Sequence, residues 1–351
     1  MKPSSLISFF RKRIILSRTD GIGDVVLSLP LAGLLKKHFP DCEVIFLGKD
    51  YTKPIIECSQ YVDSFISWDA ISSLNKKEQI LFIKNLNADV ILHVFPQKEI
   101  AHLAQKAAIP LRVGTTNRVW HWKTCNYLVP LSRKNSNFHE AELNIQLLKS
   151  FIQSPLPIKE IIWQYYGFTK LAILSSEHSR LLSSTKPNII LHPFTKGSAR
   201  EWGLDNFYAL AKLLHNDFRI FITGSQTEGD LLSNHPMLGL EDVINVTGMF
   251  QLNEFIAFIN QCDGLIAAST GPLHIAAALG KFTIGLYPPI RPMHPGRWAP
   301  LGDNATFLVE DKKCNACRKT PNCECIKSIS PKEVAKNIIN HFKNINHNTS
   351  I

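Results

Sequence analysis

Residues 13–26 read RIILSRTDGIGDVV, and this stretch decides the fold class. The β-branched run at 13–18 predicts a buried strand, and Gly21 and Gly23 mark the turn that ends it. Apolar residues then recur at helical spacing as far as His38–Pro40, which predicts a helix. A strand, a Gly-rich turn and a helix in this order are typical of the first unit of a doubly wound α/β sheet.

The alternation of strands and helices continues and then restarts after a polar, proline-containing stretch at 183–187. Two successive βαβ runs predict an α/β protein of two Rossmann-like, doubly wound domains that face one another. We expect a flexible basic leader at 1–12, domains at 13–180 and 181–330, and a helix and tail at 331–351. The other predicted strands are 43–48, 89–94, 188–192, 219–224, 264–268 and 282–287, and the other predicted helices are 76–86, 139–152, 205–215, 252–260, 271–279 and 331–343.

Composition and charge limit the classes of molecule that we expect this protein to bind. Hydrophobic residues make up 45% of the 351 residues, which is typical of a well-packed globular chain, and 39 basic against 29 acidic residues give a net charge of +10. The positive charge favours an anionic partner. The sequence has no Arg/aromatic tract, so we expect no nucleic acid. No apolar run is long enough to span a bilayer. Phe9, Phe10 and the basic residues after them are either a disordered leader or a contact to an anionic membrane surface.

The first candidate site is the turn that contains Asp24. A Rossmann dinucleotide fingerprint is broken here, because Val26 stands where a third glycine or alanine belongs, and Lys49 follows the second strand where a carboxylate is expected. Two interpretations of Asp24 stay open. It caps the following helix, or it accepts a proton from a substrate hydroxyl while Gly21 and Gly23 let the ligand approach the backbone.

The second candidate site follows the predicted strand 188–192. Thr195, Lys196 and Arg200 combine a hydroxyl with two cations, a chemistry that suits phosphate oxygens. The alternative is a solvated basic loop. We expect Trp202 to pack at the start of the next helix.

The third candidate site follows the predicted strand 264–268. Thr270 is a favoured N-cap and Pro272 suits the first turn of a helix. The amides of Thr270 and Gly271 could bind an anion. His274, one turn further on, is either a core histidine or a ligand-binding one.

Eight cysteines fall into two groups. With no recognisable export signal we expect no disulfide framework. The clustered group has a spacing that could hold a structural zinc ion, although CxC is less typical of zinc than a second CxxC, and reduced packing cysteines are the alternative. The clustered cysteines are Cys314, Cys317, Cys323 and Cys325, and the scattered ones, expected to be reduced core residues, are Cys42, Cys58, Cys125 and Cys262.

Together these motifs resemble the heptosyltransferase family (glycosyltransferase family 9), which adds heptose to the lipopolysaccharide inner core. The resemblance is carried in order by SRTDGIGDVVLSLP at 17–30, HPFTKGSAREWGLDNF at 192–207 and ASTGPLHIAAALGKFTIGLYPP at 268–289. It implies a GT-B fold, an inverting transfer from a nucleotide-heptose, typically ADP-heptose, and no metal or other cofactor in catalysis. It also implies an anionic, lipid-linked saccharide acceptor and a cytoplasmic enzyme, with peripheral contact to the inner face of the membrane left open.

The resemblance assigns roles by position. Asp24 falls on the catalytic base in an acceptor-binding N-terminal domain, with Gly21 and Gly23 in its loop. The donor belongs to the C-terminal domain, where Arg200 falls on a cation that binds pyrophosphate and Glu228 on a carboxylate that binds ribose. Ser269 departs from the family, which often has Asp there. The remaining donor-binding positions are Thr195, Lys196, Thr270, Gly271 and His274.

Rival functions remain. One alternative is a hexosyltransferase of the same GT-B class that uses a UDP- or GDP-hexose donor. Another is a protein of the same fold that has lost catalysis and only binds a sugar nucleotide. An oxidoreductase or epimerase is disfavoured by Val26 in the broken fingerprint.

Overall fold

Each half of the chain folds around a parallel six-stranded sheet. The computed structural model describes residues 12–133, 136–152, 154–195, 197, 199–310, 314, 317, 320 and 322–348. The chain divides into two compact units, Met1–Lys170 and Leu171–Ile351. The domain bounds expected from the sequence stay a prediction, and the expected leader lies, except for Lys12, outside the described residues.

The sheet of the first unit has the strand order β3-β2-β1-β4-β5-β6. The order reverses beside β1, as in other doubly wound sheets, and places the turn after β1 at the switch point where such folds bind ligands. The strands are β1 Arg13–Ser17, β2 Glu43–Gly48, β3 Ser64–Ser67, β4 Val90–His93, β5 Leu111–Thr115 and β6 Tyr127–Val129.

The helices of the first unit correct two predictions. The helix predicted after the Gly-rich turn is two helices, because Pro30 has no N–H to continue the first one and begins the second. The helix predicted at 139–152 ends as α-helix at Ile145 and continues as a 3-10 segment, Gln146–Ser150. The helices are α1 Ile22–Val26, α2 Pro30–His38, α3 Lys53–Glu57, α4 Trp68–Ser72, α5 Lys76–Asn85, α6 Lys98–Lys106, α7 His121–Thr124, α8 Glu140–Ile145 and α9 Lys159–Ile162.

The second unit repeats the architecture with the strand order β12-β11-β10-β7-β8-β9. Its strands are β7 Asn188–His192, β8 Arg219–Ile222, β9 Val243–Asn245, β10 Gly264–Ala268, β11 Phe282–Tyr287 and β12 Ala305–Val309. Its helices are α10 Ser176–Ser179, α11 Leu204–Leu214, α12 Gln226–Asp230, α13 Leu252–Gln261, α14 Gly271–Ala278, α15 Pro295–Trp298, α16 Glu324–Lys327 and α17 Pro331–Asn348. Among the described helices, none combines the length and the apolarity that a membrane span requires.

The core of the second unit fixes the loop that follows β7. Trp202 is fully buried directly before α11, as predicted, and its ring packs edge-on against Phe207 with the centroids 4.9 Å apart. Its indole N–H donates to the carbonyl of Ile329 across 2.9 Å. This buried hydrogen bond ties the end of the loop to the segment that precedes α17, so the loop has a defined position relative to the sheet.

Candidate active site

Asp24 occupies the third position of α1, and Gly21 is the N-cap. The interpretation of Asp24 as the cap residue is therefore wrong. Its carboxylate instead accepts a hydrogen bond from Nη2 of Arg18 across 2.5 Å, and its side chain is 30% exposed. A Cβ at Gly21 would lie 3.4 Å from Oδ2 of Asp24, so glycine leaves the carboxylate open on that side. Asp24 is thus held in place and accessible.

Arg18 is the centre of a buried polar network that the sequence did not reveal. Its side chain is 2% exposed, although it directly follows β1. Besides Asp24, the guanidinium donates to both carboxylate oxygens of Asp20, at 2.8 and 3.1 Å. It also donates to Glu140 at 3.3 Å and to Oδ1 of Asn144 at 3.0 Å. The only sequence signal was a cation at the end of an apolar strand.

A second guanidinium completes the network. Arg133 donates to Glu140 and to Asn144, each across 3.0 Å, and to the carbonyl of Val94. The amide of Asn144 in turn donates to the carbonyl of Leu27, at the end of α1. Helix α8 therefore supports the turn that carries Asp24 from a position more than a hundred residues away in the chain.

The surroundings of Asp24 raise its proton affinity. Burial and, to a smaller extent, the charges of Asp20 and Glu140 outweigh the opposing effect of Arg18 and raise the pKa of its carboxyl to about 6. A carboxylate with a pKa near the working pH can take a proton and release it again. The geometry and the charge of Asp24 therefore suit a general base.

The loop after β7 contains Thr195 and Arg200, whereas Lys196 lies outside the described residues. Thr195 is buried, and its hydroxyl contacts the carbonyl of Ala199 and the carboxylate of Glu201, both at 3.2 Å. The backbone N–H of Thr195 also donates to Glu201. Its hydroxyl thus stabilises the loop itself, and its contact to a donor stays a prediction.

Arg200 is half-buried, and its Nη2 donates to the carbonyl of Cys317 across 3.2 Å. Its Nε is buried and has no hydrogen-bond partner. Within the described part of the chain no carboxylate pairs with this guanidinium. An incompletely paired guanidinium of this kind is suited to bind an anionic ligand, because buried N–H groups left without partners are costly.

Glu228 lies after β8, the strand next to β7. It is the third residue of α12, where its Oε2 accepts from the N–H of Ser225 at 2.6 Å and from the hydroxyl of Ser225 at 2.9 Å. The carboxylate therefore has a helix-capping role in addition to the ligand role predicted for it.

Thr270 is the N-cap of α14, which follows β10 on the other side of β7. The position was predicted, but its buried hydroxyl makes no capping bond and has no hydrogen-bond partner. Ser269 is half-buried, Gly271 begins the helix, and His274 is 3% exposed. Since the carboxyl ends of neighbouring parallel strands share one edge, the loops after β7, β8 and β10 lie together. The donor positions predicted from separate motifs are therefore neighbours.

The cysteines separate into the two predicted groups. The four scattered cysteines are buried free thiols, as expected. In the other group the sulfur of Cys317 lies 3.2 Å from that of Cys314 and 3.5 Å from that of Cys325, and all three sulfurs lie within 4.8 Å of one another. Cys323 is buried as well, but its sulfur lies outside this group of three. The group could hold a metal ion.

Comparison with known sequences gives one family. The model of glycosyltransferase family 9 (heptosyltransferase) matches residues 82–326, more than two thirds of the chain. A Haemophilus influenzae protein named "Putative glycosyltransferase" is 27% identical over 304 residues, covering 83% of this chain and 87% of its own. Lipooligosaccharide heptosyltransferase 2 of Haemophilus ducreyi is 22% identical over 314 residues, covering 84% and 88%.

Comparison with solved structures gives the same fold. The structure of E. coli ADP-heptose lps heptosyltransferase II superposes with a TM-score of 0.71 at 19% identity, covering 93% of this chain and 97% of that one. The two parallel six-stranded sheets with their helices match the predicted GT-B fold.

Proposed function

This chain belongs to glycosyltransferase family 9, the lipopolysaccharide core heptosyltransferases, and we propose that it transfers a heptose from ADP-heptose to an inner-core acceptor. The observation that carries the proposal is Asp24, an accessible carboxylate held by Arg18 with its pKa raised to about 6. We propose that Asp24 removes the proton from the acceptor hydroxyl as the oxygen attacks the anomeric carbon. A single displacement of this kind inverts the anomeric configuration.

The donor side of the proposal rests on Arg200 and the start of α14. As the bond to the nucleoside diphosphate breaks, negative charge develops on the leaving phosphate. Arg200 would stabilise that charge with guanidinium N–H groups that the protein leaves unpaired, and the amides of Thr270 and Gly271 would add to it. These groups supply the charge stabilisation that a metal ion provides in other transferases, so we propose that catalysis needs no metal. Glu228 would accept from a ribose hydroxyl while it caps α12.

The acceptor is proposed to be anionic and lipid-linked. The net charge of +10 favours such a molecule and a contact with the anionic inner face of the cytoplasmic membrane. The protein named ADP-heptose lps heptosyltransferase II in E. coli supports the donor and the acceptor class by its fold relationship.

The test is a transfer assay with the purified chain, ADP-heptose and a panel of defined core acceptors, read by mass and by the anomeric coupling in NMR. We expect a mass gain of one heptose and an inverted anomer, at a rate unchanged by EDTA. Transfer from UDP- or GDP-hexose instead would establish the hexosyltransferase alternative. Nucleotide binding without transfer to any acceptor in the panel would favour a non-catalytic protein. Thermal shifts with ADP, UDP and GDP give an independent ranking of the donor nucleotide.

A further inference from the structure

The four clustered cysteines lie in the part of the second unit that contacts Arg200. We propose that Cys314, Cys317, Cys323 and Cys325 bind one tetrahedral zinc or iron ion, and that this ion positions Arg200 through the backbone of Cys317. The role given to Arg200 rests on the proposed function, whereas the metal site itself does not.

The sulfur positions fit one ion. Metal–sulfur bonds of about 2.3 Å in a tetrahedron place neighbouring sulfurs about 3.8 Å apart. The observed distances from Cys317 to Cys314 and Cys325 are 3.2 and 3.5 Å, and the three sulfurs lie within 4.8 Å of one another. An ion at their centre therefore requires these distances to change by no more than about one ångström. None of the four cysteines forms a disulfide in the structure, so all their thiols are available to an ion.

The fourth ligand of the proposed site is Cys323. Its sulfur lies outside the group of three that are within 4.8 Å of one another, so it would have to move toward the ion on binding. Its side chain is 1% exposed, and the residue is the N-cap of α16, close to the other ligands in the chain. A donor set of four thiolates selects zinc or iron over cations that prefer oxygen ligands. Binding releases the protons of the thiols and involves no change of oxidation state.

The site is closed. Cys317, Cys323 and Cys325 are each at most 5% exposed and belong to the apolar core that also contains Trp202 and Ile329. Four protein ligands leave no coordination position for water or substrate, which is the arrangement of structural rather than catalytic zinc. The ion would therefore have a structural role and would not take part in the reaction itself.

The hydrogen bond between Cys317 and Arg200 connects the proposed metal site to the proposed donor site. The carbonyl of Cys317 accepts the hydrogen bond from Nη2 of Arg200 across 3.2 Å. A metal bound to the thiolate of Cys317 would fix the orientation of this residue and hence of its carbonyl. That carbonyl in turn holds the guanidinium while its other N–H groups remain available to a phosphate. Arg200 is the residue that binds, and the metal site positions it.

The first measurement is the metal content of the full chain purified without chelators. We expect about one equivalent of zinc or iron, with elemental analysis distinguishing the two, and loss of most of it in Cys314→Ser and Cys325→Ser. Cys42→Ser, which replaces a buried thiol of the first unit, should retain the ion. Less than a tenth of an equivalent in the wild type, together with no cobalt–thiolate absorption after incubation with Co²⁺, would overturn the site. A thiol titration that finds a disulfide among these cysteines would overturn it as well.

The second measurement is the dissociation constant of ADP in a double-mutant cycle. Cys314→Ser should weaken ADP binding roughly 10-fold, the scale of one charge-assisted hydrogen bond, in the wild-type background. In an Arg200→Ala background the same change should have little further effect. Equal losses in both backgrounds would show that the metal does not act through Arg200. An active transferase without metal overturns this inference alone, and a metal-loaded chain without transfer activity overturns only the proposed function.

Discussion

The guanidinium of Arg18 lies 2.5 Å from the carboxylate of Asp24, and it also pairs with Asp20 and Glu140. Three carboxylates thus share one buried cation, with Arg133 as a second partner for Glu140. Because most of the Asp24 side chain is withdrawn from water and the carboxylates outnumber the cations, its pKa rises in spite of the ion pair. The same contact fixes the direction of the carboxylate. Arg18 therefore sets the position of the proposed base, whereas burial accounts for most of its raised proton affinity and Arg18 limits the increase.

Replacing Asp24 by Asn should lower kcat by about 10²–10⁴-fold, the usual contribution of a general base. The amide keeps the shape of the carboxylate but cannot accept the acceptor's proton. Steady-state rates with ADP-heptose and a defined acceptor, with circular dichroism as the check of folding, would measure the change.

Asp20→Asn is the matched control, because Asp20 also pairs with Arg18. We expect Asp20→Asn to retain most of its activity. Equal losses in both variants would mean that Asp24 acts only by holding Arg18, and near-full activity in Asp24→Asn would remove it from the mechanism.

The rate should increase with pH through a limb near pH 6, because Asp24 is active as a base only when ionised and its pKa is raised to about 6. The charge of Glu140 contributes to that increase in pKa. Glu140→Gln should therefore move the limb to lower pH. Profiles of kcat/KM from pH 4.5 to 9 would locate this limb in the wild type and in Glu140→Gln. ADP binding would be recorded over the same range. A limb that stays at the same pH in Glu140→Gln would assign it to a group other than Asp24.

Arg200→Ala should reduce kcat/KM for the donor roughly 10- to 100-fold, the scale of hydrogen bonds to a charged group. Arg200→Lys should retain more of the kcat/KM than Arg200→Ala but less than the wild type, because an ammonium group lacks the planar fork of guanidinium. Initial rates at varied ADP-heptose would show the loss. Arg180→Ala, at an exposed position of the same unit, serves as the control for the loss of one positive charge. An equal loss in Arg180→Ala would indicate a general electrostatic effect.

Acid should destabilise the first unit through His93. Its side chain is fully buried, and neither ring nitrogen has a hydrogen-bond partner. Burial, together with the neighbouring charges of His121 and Arg112, lowers its pKa to about 3. Between about pH 6.5 and 3 the unfolded chain therefore binds a proton that the folded chain does not. The free energy of unfolding should fall as the pH falls through this range, by up to about 1.4 kcal/mol per pH unit.

Urea unfolding of His93→Gln at several pH values would isolate this contribution. The variant should show a shallower loss of stability with acid than the wild type. His102→Gln, at an exposed position of α6, should keep the wild-type slope. Parallel slopes in the wild type and His93→Gln would show that His93 does not govern the acid sensitivity.

Gly33→Ala should destabilise the protein by about 1–3 kcal/mol, the usual cost of overpacking. Gly33 lies in α2, and a Cβ there would lie 2.4 Å from the carbonyl oxygen of Tyr165. Gly239→Ala, where the new methyl group meets no atom within 4 Å, should change the free energy of unfolding by less than about 0.5 kcal/mol. Denaturant titrations of both variants would test the contrast. Similar stabilities would show that α2 moves away from Tyr165 without cost.

The strands predicted from the sequence are those that the sheets bury. β1, β2, β4, β7, β8, β10 and β11 were all found, because central strands require continuous apolar runs. The strands missed were β5 and the four edge strands β3, β6, β9 and β12. An edge strand pairs on one side only and is partly exposed, so its sequence carries polar residues and resembles a loop.

The sequence by itself determined the order of most of the central strands and the turns at which candidate residues stand, including Asp24 and Arg200. These features depend on patterns within a few residues of one another, which a single chain displays directly. Only the tertiary structure decided the chemical state of those residues. The pKa of Asp24 depends on burial and on Glu140, the orientation of Arg200 on the carbonyl of Cys317, and the metal-binding potential of the cysteines on sulfur distances. Electrostatic and hydrogen-bond energies depend on distance in space, and Glu140, which pairs with Arg18, and Cys317, which accepts from Arg200, are separated from these arginines by more than a hundred residues of chain.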